Sequence, residues 1–165
     1  MRQCVILLAC FCLSLMGCNR QLLPDGMPKS YPAAITIIQG GQPLSGASVA
    51  LIPMESSNPW NAGGVTDTSG KAVLKTRSEY NGVVPGKYYV TVVKLESARD
   101  GLSLRPGYDV VGYDLVELKF SQRSPDITIE VVAGKKTEKE IDVGEPVHIA
   151  REVVRPDDGG FGPPE

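Results

Sequence analysis

The chain has 165 residues, with 17 Lys plus Arg against 19 Asp plus Glu and a formal charge of -2. So mild a balance argues against nucleic acid as a partner and against a strongly acidic or basic interaction tail. Its 18 Gly and 13 Pro follow no fixed period, which excludes a collagen-like repeat and suits a sheet protein with many turns.

Arg2 precedes an almost wholly apolar run over residues 4–16, the pattern of an export signal. The run is shorter than the roughly 20 apolar residues of a membrane span. It ends in Leu15-Met16-Gly17-Cys18, before the polar Asn19-Arg20-Gln21. This segment resembles the lipobox of bacterial lipoproteins. The resemblance implies cleavage between Gly17 and Cys18, diacylglycerol on the Cys18 thiol, and acylation of the new amine. A thiol is a natural nucleophile for thioether formation, and Gly17 lets a peptidase approach the backbone. Two or three acyl chains anchor firmly where one binds only marginally. The competing reading is an ordinary secreted protein with a cysteine at its cleavage site. Cys4, Cys10 and Cys12 leave with residues 1–17, and lipidation occupies Cys18. That leaves no thiol for a disulfide, a metal site or a nucleophile. Removing 17 of the 165 residues leaves 148, the size of one domain, and removing Arg2 takes the net charge to -3.

Residues 18–32 hold three prolines and read as the lipidated cysteine and its tether. Residues 34–39 are a β-branched run, and Gly40-Gly41 turns the chain. Residues 47–54 alternate as a strand that Pro53 closes. Residues 56–64 form a polar loop around Trp60, the one tryptophan. At residues 66–70, Asp67 can bond the backbone two residues on and Gly70 can take positive φ. Residues 71–76 make a strand with Ala72 and Leu74 on one face and Val73 on the other. After the turn at Val84-Pro85-Gly86, residues 87–95 alternate with Tyr88, Val90, Val92 and Lys94 on one side and Tyr89, Thr91, Val93 and Leu95 on the other, with part of each set buried. Residues 96–124 read as a long excursion with a short helical piece, in which Leu115 and Leu118 have helix-like spacing. Residues 127–133 alternate again, with Ile127, Ile129, Val131 and Ala133 on one face. Residues 138–143 return as a polar edge strand whose charges discourage pairing with another chain. Residues 151–165 are the tail beyond a domain spanning 33–150, and residues 155–165 have the composition of a disordered segment. About seven short strands with no long helix call for two packed antiparallel sheets, an all-β sandwich.

Four motifs in order carry a second resemblance. Gly41-Gln42-Pro43-Leu44-Ser45-Gly46-Ala47-Ser48-Val49 is followed by Pro53. Then come Gly64-Val65-Thr66-Asp67-Thr68-Ser69-Gly70-Lys71-Ala72 and Gly82-Val83-Val84-Pro85-Gly86-Lys87-Tyr88-Tyr89-Val90. Ser124-Pro125-Asp126-Ile127-Thr128 precedes the last hairpin. Together they resemble the carboxypeptidase regulatory-like family, a transthyretin-like (prealbumin-like) β-sandwich. The likeness is greatest to small lipoproteins of the planctomycete type, and it covers about residues 33–143. Ala72 stands where that pattern has an aromatic, leaving space for Phe120 or Trp60. Gly46, Asp67, Gly70, Pro85 and Gly86 have turn-making roles, so these motifs specify architecture and not chemistry.

The candidate sites are few. His148 is the only histidine, and a lone imidazole needs an acid and a nucleophile, or further ligands, to do chemistry. Asp67 with Asp109 or Asp114 falls short of the ligand density of a calcium loop. No catalytic constellation, metal site or cofactor motif is expected. Trp60 with Asn58 and Asn61, extended by Tyr108 and Tyr113, could stack on a sugar or anchor a protein. The plainer expectation has Trp60 capping the core. The resemblance implies a non-catalytic lipoprotein of the bacterial cell envelope, held to a membrane through Cys18, structural or protein-binding in role. Its alternative is a carbohydrate- or small-ligand-binding module that uses Trp60.

Overall fold

Alternating apolar runs bounded by glycine turns form strands here, and the computed structural model describes them over residues 23–98, 108–124 and 126–154. In chain order they are β1 (Ala33–Gln39), β2 (Gln42–Pro43), β3 (Ser48–Pro53), β4 (Ala62–Val65), β5 (Lys71–Val73), β6 (Lys75–Thr76) and β7 (Tyr80–Asn81). After these come β8 (Gly86–Val93), β9 (Leu95–Ser97), β10 (Tyr108–Asp114), a 3₁₀ turn at Leu118–Ser121, β11 (Thr128–Val131), β12 (Thr137–Asp142) and β13 (Ile149–Val154).

The fold is an all-β sandwich. One sheet has the order β12-β1-β2, with β5 also paired to β1. The facing sheet runs β11-β8-β3-β4-β6-β7. Between them lie Ile35 and Ile37 of β1, Leu51 of β3, Val90 and Val92 of β8, and Val131 of β11, all essentially inaccessible to water. Burying each such side chain contributes about 1.5–3 kcal/mol. Tyr88, Val90 and Val92 are buried from one side of β8 and Thr91 from the other, so part of each face is covered. Ala72 and Phe120 belong to this core, whereas Trp60 belongs to a separate small cluster with Met27 and Val84.

Three features depart from expectation. The strand read over residues 71–76 is cut at Leu74, where the chain crosses between sheets. The Leu74 N–H donates to Ala33 O (3.0 Å), and its carbonyl accepts from Gly82 N–H (3.2 Å). Such cuts raise the number of short strands to thirteen among the described residues, against about seven expected. Second, the expected antiparallel pattern has an exception. β1 and β12 pair in parallel, Ala33 opposite Thr137 and Ile38 opposite Asp142. β12 arrives from β11 in the other sheet, so no tight hairpin fixes it antiparallel to a neighbour. It lies at the sheet edge, where the charge pattern of residues 138–143 placed it.

Third, the described residues of 96–124 hold more strand than helix. β10 pairs with β9 on one side and β13 on the other, and among the described residues only the 3₁₀ turn is helical. This three-stranded sheet prolongs the sandwich beyond the Val93 end of β8. Residues 151–154, placed in the disordered tail, are the last four residues of β13. Residues 155–165 lie outside the described part, as do residues 1–22 with Cys18.

Candidate functional site

Two ends of the sandwich can be told apart by register. Pro53 faces Tyr88 and Leu51 faces Ala62, so Trp60 and the Pro85-Gly86 turn share one end. Ser48 faces both Val65 and Val93, so Gly46, Asp67 and the three-stranded sheet lie toward the other.

At the first end, Asn58 organises the loop. Its Oδ1 accepts from Trp60 N–H (3.0 Å), and its Nδ2 donates to the Tyr88 hydroxyl (3.2 Å). That hydroxyl donates in turn to Val84 O (2.6 Å). Burial pushes the Tyr88 phenol above its usual range, against the Asn58 hydrogen bond. Trp60 is 8% exposed and packs with Met27, Val84 and the partly buried Tyr80. The Arg77 guanidinium lies 4.5 Å from the indole centroid, a cation–π contact. Arg77 and Ser78 hold positive φ (52° and 61°), and Arg77 N–H donates to Asn61 O (2.9 Å). A shallow groove of about 200 Å³ remains beside Trp60, edged by Pro28, Glu55, Pro85, Gly86 and Lys87.

Trp60 is thus the centre of an occupied pocket. Its occupant is the segment read as a tether. Pro24 O accepts from Met27 N–H (3.1 Å) in a tight turn that delivers the Met27 side chain to the indole. Ser30 Oγ donates to Asn81 O (2.7 Å), and Tyr31 and Val83 exchange two backbone hydrogen bonds of 2.9 Å. Met27 is a large apolar side chain between Pro24 and Pro28, a visible signal that this stretch docks. Nothing in the sequence marks Arg77 for its left-handed backbone.

The remaining expected residues are dispersed. Tyr113 stacks on His148 in and beside the three-stranded sheet, ring centroids 4.0 Å apart at 16°. His148 Nε2 stands 3.8 Å from Glu96 Oε2. Tyr113 is therefore toward the opposite end from Trp60, and the two make no common patch. Tyr108 begins β10, and its side chain lies outside the described part. Asp67 Oδ1 accepts from Ser69 N–H (2.8 Å), Ser69 Oγ (2.6 Å) and Lys71 N–H (3.1 Å). The Ser69 hydroxyl leads in holding this carboxyl below the usual range. Asp114 takes two bonds from Arg151, at 2.6 and 2.9 Å. Asp67 and Asp114 are thus engaged separately. No group of three or more His, Cys, Asp or Glu could hold a metal ion among the described residues.

No protein-family model, curated protein or solved structure matches this chain. The site must be read from its own geometry.

Two larger grooves lie elsewhere along the described residues. One of about 420 Å³ has Ala33, Ala34, Val73 and Leu74 along it and Lys71 and Lys136 at its rim. Both lysines hold Glu138 Oε1, at 2.8 and 2.9 Å. The Lys71 bond leads in depressing the Glu138 carboxyl to about 2. The other, about 490 Å³, lies along β3 and β4 with Gly63 and Gly64 in its floor and the exposed Val65 and Val73 beside it. Their lining supplies apolar contact and cationic edges.

Proposed function

We propose that this chain is a non-catalytic lipoprotein of the bacterial cell envelope, anchored through Cys18 and offering its sandwich as a structural or protein-interaction module. The observation that carries the anchor is the apolar run ending in Leu15-Met16-Gly17-Cys18 before a polar stretch. The burial of Trp60 between Met27, Val84 and Arg77 favours the structural role over sugar stacking, which needs an open aromatic face. Kinship with the carboxypeptidase regulatory-like family is part of the same proposal. It draws support from the all-β sandwich and from the turns at Gly46, Gly70 and Gly86, whose motifs lie where strands meet.

The test has two arms. The full-length chain is expressed in a bacterium with its envelope fractions separated, and the N-terminal peptide is weighed. A peptide starting at acylated Cys18, lost in Cys18→Ser, is expected. A soluble, unacylated product would remove the anchor. The unlipidated form from residue 19 onward is then tested against envelope proteins and surface polysaccharide, with Trp60→Ala alongside. Capture of a defined protein supports the interaction role. Capture of glycan that Trp60→Ala abolishes would replace it with the carbohydrate-binding reading.

A further inference from the structure

Resting on the lipid anchor proposed above, we infer that the Met27–Trp60 contact is a latch that turns the Trp60 end of the sandwich toward the membrane. The partner of this end is a lipid surface. The three-stranded sheet then points away from it.

The argument is one of length. The segment first engages the domain at the Pro24–Met27 turn. From Cys18 to Pro24 is six residue steps, and extended chain covers about 3.6 Å per step, so the leash reaches about 22 Å. An eight-residue strand such as β8 is itself about 26 Å long. A leash shorter than the sandwich is tall keeps the opposite end from reaching the bilayer. Without the latch, the next paired backbone point is Tyr31 with Val83, and the leash grows to about 47 Å. That length lets the domain turn over.

Exposed apolar surface does not choose between the ends, since the three-stranded sheet shows Leu95, Val111, Ile149 and Val153. Leu23 on the leash and Met54 just after β3 are exposed apolar side chains. Lys87 and Glu55 both line the groove beside Trp60, so neither sign of charge dominates there. Orientation therefore comes from the leash and not from attraction to anionic lipid.

The experiment uses the full acylated protein in phosphatidylcholine vesicles that carry an acceptor dye on their headgroups. Cys18 is blocked by its lipid, so a single introduced cysteine takes the donor. Ser57→Cys labels the Trp60 end, and Thr68→Cys labels the Asp67 turn. Stronger energy transfer from position 57 than from position 68 is expected. Adding Met27→Asp should shift Trp60 emission to the red and collapse that difference. A second variant, with a flexible insert between Cys18 and Pro24, should collapse it while leaving Trp60 emission unchanged. Equal transfer from the two positions in the otherwise unaltered acylated protein would overturn the latch and leave the anchor standing. A Cys18 that carries no acyl chain would overturn both.

Discussion

The Tyr88 hydroxyl donates to the carbonyl of Val84, four residues earlier, and ties the Pro85-Gly86 turn to the strand it introduces. Both residues are buried, so neither group has water as a substitute. Tyr88→Phe leaves the Val84 carbonyl without that donor and removes the acceptor of the Asn58 amide. A loss of about 1–3 kcal/mol is expected. It reads as a lower urea midpoint at unchanged slope.

Gly70 sits at φ 75°, and a β-carbon there would lie 2.5 Å from Ile37 O. The contact is with backbone of β1, which cannot swing aside. Gly70→Ala should cost more than the roughly 1–2 kcal/mol of a left-handed non-glycine residue alone. The melting temperature of the purified domain measures it. A change no larger than that of Gly41→Ala, whose site is open, would show that the turn yields.

Glu138 links pH to stability. Its carboxyl titrates near 2 in the folded chain, depressed from 4.5 by Lys71 and Lys136. A depressed carboxyl stabilises the fold above its unfolded pKa and loses that contribution as pH falls through the folded value. The Glu138 contribution is thus complete above about pH 4.5 and fades toward pH 2. Denaturation midpoints of the parent and Glu138→Gln should differ at neutral pH and converge across that window. Parallel curves down to pH 2 would assign the acid sensitivity elsewhere.

Asp114 and Arg151 join β10 to β13 through paired hydrogen bonds. The carboxylate is buried while the guanidinium is partly exposed. Asp114→Asn removes charge-assisted bonds worth about 1.5–3 kcal/mol. The effect should be local, because among the described residues β13 pairs only with β10. Faster amide exchange over residues 149–154, with the β1 and β8 amides unchanged, is the expected pattern.

The sandwich was legible wherever local alternation decided the outcome. β8 forms because apolar residues recur with period two over residues 87–95, and the strand buries Thr91 from its other face along with Tyr88, Val90 and Val92. The sheet change at Leu74 was not legible, since Ala72-Val73-Leu74 alternates the same way whether or not its neighbours change. β10 was hidden by the irregularity between Val110 and Gly112, which breaks the period. β13 was hidden because its partner lies about forty positions upstream. At the other end, Trp60 packs in a small cluster apart from the sandwich core, an arrangement one tryptophan in a polar loop did not reveal. The occupant, Met27, came from a segment that its prolines marked only as a connector.

The parallel pairing of β1 with β12 has a consequence during synthesis. Ala33 waits for Thr137, 104 positions later, before its sheet can be completed. Contacts so distant in sequence close slowly, because chain entropy is lost before they form. A chain still emerging from the ribosome therefore holds β1 without its edge partner.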